Sequence, residues 1–174
     1  MTGTHPPRIC AGVAVTQGHR FWFHSGKVMA DLGQYLVEFV EPTVTDFANH
    51  PRSVRHAFLA CVVVFHSVDY LAFPRKPQSI RQALGKESAA FKLVDDIAHA
   101  FKHVRIGDPT SPRLIVSEVI GRPPGAAGIM AAGISRVGDP TGGVTLFRDL
   151  DVDVLRVVAE AVNCLRSKVL SPQT

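Results

Sequence analysis

The stretch Ser88-Ala89-Ala90-Phe91-Lys92-Leu93-Val94-Asp95-Asp96-Ile97-Ala98-His99-Ala100-Phe101-Lys102-His103-Val104 decides the fold. Phe91, Val94, Ile97, Ala98, Phe101 and Val104 recur at helical spacing, while Lys92, Asp95, Asp96, His99, Lys102 and His103 fall on the other side. That period predicts an amphipathic helix over about Ser88 to Val104, packed by its apolar stripe and wet along its polar one.

Upstream, Ser53 is placed to cap a helix from Val54 to about Phe73, ending before Pro74-Arg75-Lys76-Pro77. It is apolar nearly all round, most densely from Ala57 to Phe65, and is interrupted by His66-Ser67-Val68-Asp69-Tyr70. A short helix over about Ser79 to Gly85 joins the two long ones. Earlier still, Val28, Leu32, Tyr35, Leu36 and Phe39 predict a helix that Ser25 caps and that runs to about Val40. Pro42 then fits a turn or a new helix start, not an uninterrupted helix. Residues before about 25 read as an arm or a β-hairpin over Gln17-Gly18.

Beyond Gly107-Asp108-Pro109 the pattern changes. Leu114 to Ile120 is rich in β-branched residues and predicts a strand, and Gly143 to Asp149 predicts a second. Gly121 to Gly143 is rich in glycine and proline: Gly121 to Gly128 reads as a flexible loop, Ile129 to Val137 is a weaker strand signal, and Gly138 to Gly143 is a turn. Asp151 begins a last helix to about Val169, striped by Val154, Leu155, Val158, Ala161, Val162 and Leu165. The expected fold is a single α+β domain, mainly α. Its parts are a helical bundle over residues 26–106, a small antiparallel β-element over 113–149 and a C-terminal helix over 151–169.

Composition narrows function without naming it. The 174 residues suffice for one domain with a real core. A net charge of +4 with acids and bases interleaved permits a basic patch but does not demand nucleic acid. Cys10, Cys61 and Cys164 form no CxxC pair, which excludes a zinc ribbon or a thioredoxin-type motif, and Cys61 reads as a small core residue. The apolar run from Ala57 to Phe65 covers about half a bilayer span. It reads as a buried helix, with no membrane partner, no secretory signal and a cytoplasmic setting expected. Phosphate-loop and nucleophile-elbow motifs are missing, and proline removes amides that a cradle over residues 121–128 would need.

The candidate site residues are His66, Asp69, Asp96, His99, Lys102 and His103. His66 and Asp69, three apart, share a helix face. Packing the two long helices antiparallel would bring His66 to Asp95 or Asp96 and Asp69 to Lys92. A carboxylate would then orient one imidazole nitrogen and leave the other as a base. The competing readings are a buried His66–Asp69 pair that holds helices in register and a solvated polar face on the later helix. His99 and His103, with Asp96 three residues before His99, also have spacings that suit metal ligands. Yet only Glu38 and Glu41 accompany the first helix, and His-Glu-x-x-His is absent, so no metal or cofactor is implied. Arg75, Lys76, Arg81, Lys86, Lys92, Lys102 and Arg105 could meet phosphates, or form a solvated basic edge.

The stretch from Val54 to Arg105, with its long apolar helix, polar break and Asp96-to-His103 ending, resembles the small helical-bundle proteins of the HEPN type over about residues 26 to 106. The resemblance implies a small soluble prokaryotic accessory or binding protein, with an RNA or protein partner and a homodimer as expected associations. Such proteins are often toxins or defence ribonucleases that use an Arg and a His separated by four to six residues. Here Lys92 precedes His99 with six residues between them, in place of that arginine, and an ammonium lacks the planar grip of a guanidinium. The alternative is therefore a metal-independent ribonuclease with His99 or His103 as acid–base and Lys92 or Lys102 holding phosphate. A third reading is a metal-dependent enzyme using His66, Asp69, His99 and His103.

Overall fold

The computed structural model describes residues 31–108, 110 and 112–170, and its fold is α+β and mainly α. The N-terminal arm or hairpin and the Ser25 cap expected from sequence lie outside the described residues. Asp31 caps the first described helix, α1 (Leu32–Tyr35), by accepting a hydrogen bond from the Gln34 amide.

The first helix does not stop at Val40. A π-helical turn, Leu36–Val40, carries the chain directly into α2 (Glu41–Asn49). Proline lacks an N–H, and its ring crowds the carbonyl one turn back, so Pro42 disrupts ordinary helical bonding. The wider turn immediately before it accommodates that break, and helix continues without interruption from Leu32 to Asn49. The proline interrupts the hydrogen-bond register, not the rod.

Ser53 caps α3 (Val54–Ala72) through the His56 amide, and Ser88 caps α5 (Ala89–His103) through the Phe91 amide. Between them α4 (Gln78–Glu87) is longer than the sequence suggests and buries Leu84. The last helix, α6 (Val154–Leu170), starts behind Asp153, whose carboxylate accepts from the Arg156 amide. α5 lies at the centre, touching α3, α4, α6 and the strands that follow it. Fully buried Phe91, Val94 and Ile97 join Val64 and Val68 of α3 and Val158 and Leu165 of α6 in one apolar cluster. Cys61 is in that core, where burial pushes its thiol up to about 12 and leaves it inert as a nucleophile.

The single strand expected over Leu114–Ile120 is broken. β2 (Pro112–Ile115) pairs antiparallel with β1 (Arg105–Gly107), and β3 (Val119–Arg122) pairs antiparallel with β4 (Gly143–Leu146). A 3₁₀ turn, Val116–Glu118, separates β2 from β3. Alternation alone could not reveal this, because each half takes a different partner. Ile129–Val137 contains turns and no strand. It belongs to the long β3–β4 connection, whose base is pinned by the buried Arg122–Asp139 ion pair at 2.8 Å and by Gly125 N–H donating to the Asp139 carbonyl. Gly142 has φ +70°, and a side chain there would strike the Arg122 carbonyl, so glycine is required where the loop returns.

Val104 ends α5 with φ 70° and ψ −34°, a conformation that strains a β-branched residue. The kink turns the chain back so that β1 and β2 lie over α5, and the Val104 carbonyl accepts from Val116 N–H at 2.8 Å. Val104 is 61% exposed, so its side chain adds little packing to offset the strain. Val104→Gly is expected to raise stability by about 1 kcal/mol. Urea denaturation checks this, and an unchanged or lowered midpoint would contradict it.

Candidate functional site

The polar side of α5 is not simply wet. Asp96 is 8% exposed, and its Oδ1 accepts from both Lys92 Nζ and Arg113 Nη2, each at 2.6 Å. Lys92 reaches it from one turn earlier on α5, whereas Arg113 arrives from β2. One carboxylate oxygen thus holds an ammonium and a guanidinium side by side, and charge-assisted bonds of this length are among the strongest side-chain contacts. Both cations remain substantially exposed, so they are fixed in direction yet open to solvent.

His66 and Asp69 are not a buried pair. They bond to each other on the exposed side of α3, His66 Nδ1 to Asp69 Oδ2 at 2.8 Å, with side chains about half exposed. The expected pairings of His66 with Asp95 or Asp96, and of Asp69 with Lys92, do not form. Arg81 of α4 stands between the long helices instead. Its Nη2 is 3.8 Å from Asp69, its Nε is 3.6 Å from Asp95, and its guanidinium lies over the Phe65 ring at 4.1 Å. The edges of His66 and His99 flank that same ring at 5.0 and 4.9 Å. Treating residues 74–86 as a mere connection hid this, because α4 inserts a cation where direct helix–helix pairing was expected.

The Arg81–Asp95 contact is long. Arg81 Nε and Asp95 Oδ1 are both sealed from solvent, and neither makes a hydrogen bond among the described residues. A half-satisfied buried pair is costly. Burial pushes the Asp95 carboxyl above its ordinary range, although His99, Arg81 and Lys92 pull the other way. His99 Nδ1 is 2.9 Å from the Asp95 carbonyl, which can only accept. That nitrogen must carry the proton, leaving Nε2 with the lone pair in the neutral ring.

These groups border one cleft of about 540 Å³ between α4, α5 and the β1–β2 hairpin. Arg81, Gln78 and Gln82 form the α4 wall, Lys92, Asp95 and His99 the α5 wall, and Arg113 with Ile106 closes it from the hairpin. Of the six residues singled out by sequence, only His99 lines it. Asp96 acts from behind Lys92, His66 and Asp69 lie beyond Arg81, and Lys102 and His103 are exposed further along α5. The His103 ring stacks on His99 at a centroid distance of 6.1 Å. Among the described residues, no three His, Cys, Asp or Glu side chains gather as metal ligands would. Arg81 and Arg113 were missed as site residues. Arg81 had been placed in a basic edge by its neighbours in sequence, and nothing in sequence links Arg113 to Asp96. No family model, curated protein or solved structure matches this chain.

Two outcomes follow for stability. Asp96→Ala frees Lys92 and Arg113 and is expected to cost about 1–3 kcal/mol in chemical denaturation; a change near zero would show that the clamp is idle. Because the folded state raises the Asp95 pKa, it holds that proton more tightly than the unfolded chain does. Asp95 ionisation therefore lowers stability as pH rises from its ordinary 3.8 through the raised folded value. Asp95→Asn should abolish that fall when denaturation curves are compared across the range, and an unchanged pH profile would contradict the assignment.

Proposed function

We propose that this chain is a small binding protein that takes a phosphate-bearing ligand in the cleft between α4, α5 and the β1–β2 hairpin. One observation carries the reading: Arg81, Lys86, Lys92 and Arg113 converge on that cleft from three elements, against a single lining carboxylate among the described residues, Asp95, whose charge its burial disfavours. Surface cations usually spread apart to lower their mutual repulsion. Here Asp96 holds two of them together, which prepays the orientation of a guanidinium–ammonium pair toward an anion. Arg113 supplies the planar fork that Lys92 lacks.

A second reading is metal-independent RNA cleavage, favoured by the position of His99 in the same cleft with its tautomer set by the Asp95 carbonyl. Its Nε2 would act as the base on a ribose hydroxyl while Lys92 and Arg113 hold the phosphate. The resemblance to HEPN-type bundles supports this alternative, with RNA as partner.

Titration with inorganic pyrophosphate tests the binding reading. Wild type should bind, and Lys92→Gln with Arg113→Gln should weaken binding by at least about tenfold, the effect of losing one charge-assisted hydrogen bond or more. Equal binding by the double variant would remove the proposed seat. Incubation with RNA in the presence of a chelator tests the second reading. Cleavage should fall by about a hundredfold or more in His99→Ala, and no cleavage by wild type would end it.

A further inference from the structure

We propose, building on the anion-binding reading of the cleft, that its ligand is a small sugar monophosphate and that the site is not a track for a nucleic-acid strand. The cleft measures about 540 Å³ and has walls from three elements, within the roughly 300–1,000 Å³ typical of small-molecule sites. Its positive charge is also bounded. Asp69, with its side chain about half exposed, stands 3.8 Å beyond Arg81, and Asp96 backs Lys92 and Arg113. A strand leaving past Arg81 would carry its next phosphate toward Asp69, where like charges repel.

The composition of the walls also fits a small ligand better than a strand. Proteins that follow single strands combine a basic groove with aromatic platforms on which successive bases stack. Among the described residues no Phe, Tyr or Trp lines this cleft, and the nearby Phe65 carries the Arg81 guanidinium on its ring. In place of a platform, α4 presents Gln78 and Gln82 one turn apart on either side of Arg81. Each amide offers two N–H donors and a carbonyl acceptor, the complement of a polyhydroxylated body. A phosphoryl group on Lys92 and Arg113 would leave the sugar hydroxyls along this amide wall.

Packing at the seat is close. A methyl group on Gly85 would lie 3.2 Å from Lys92 Cδ, so glycine lets the lysine stem cross α4 closely and keeps the ammonium at Asp96.

Calorimetric titration with glucose 6-phosphate, inorganic phosphate and a short oligo-uridine RNA tests the inference on wild type and on Gln78→Ala/Gln82→Ala. Both glutamines are exposed, so the variant should keep the fold. Glucose 6-phosphate should bind wild type at least about tenfold more tightly than inorganic phosphate. The double variant should bind the two alike. Gly85→Ala, which favours the helix, should weaken both ligands together. RNA binding more tightly than the sugar phosphate would overturn the inference, as would a sugar phosphate no tighter than inorganic phosphate or an advantage that survives loss of both glutamines. In each of these cases phosphate still binds, and the broader anion reading stands. If none of the three binds, the anion reading fails and takes this inference with it.

Discussion

The Asp96 carboxylate is the constraint on which the rest of the arrangement depends. It sits on the central helix, nearly buried, with a single oxygen shared between a lysine of its own helix and an arginine of β2. An ionised carboxylate in that position without partners would be expensive, so the chain must deliver cations to it. Lys92 arrives through helical periodicity alone. Arg113 arrives only because Val104 accepts a strained backbone conformation that folds β1 and β2 over α5. A local strain therefore supplies the partner of a central buried charge, and the same turn builds the third wall of the cleft.

The opposite wall follows a different logic. Arg81 is mostly buried, yet its two ion pairs are long and its Nε has no hydrogen-bond partner among the described residues. Its firmest contact is the face of Phe65, an interaction of about 0.5–2 kcal/mol. Apolar packing by Leu84 anchors α4, and Arg81 is carried into place by that anchoring. Neither side of the cleft is what an economy of stability would choose. Half-satisfied charges cost more than apolar side chains of similar size, and such departures from good packing concentrate where a protein binds or reacts.

Much of the fold was legible in the sequence. The stripes of α5 and α6, and the serine that caps α3, follow from spacing and from the chemistry of caps. The α+β class followed from the change of pattern after Gly107-Asp108-Pro109. The π turn before Pro42 did not, because sequence shows that proline breaks the bonding but not whether the rod bends or rewinds. The split of Leu114–Ile120 was hidden because its halves pair with different strands. The site was less legible than the fold. His99 was found because histidine on a helix draws attention. Asp96 was found, but as a partner of His66 or as part of a solvated face, since the arginine that covers it is 17 positions away on β2. His66 and Asp69 looked buried because their helix is apolar, yet each side chain occupies its open edge.

The central claim is that α4, α5 and the β1–β2 hairpin together form one seat for a phosphate-bearing ligand. Amide and arginine side-chain NMR spectra recorded during titration with inorganic phosphate test it most directly. Shifts should concentrate on Arg81, Lys92, His99 and Arg113 and saturate with one common dissociation constant. Shifts scattered over surface lysines and arginines, or confined to Lys102, His103 and Arg105 outside the cleft, would contradict it.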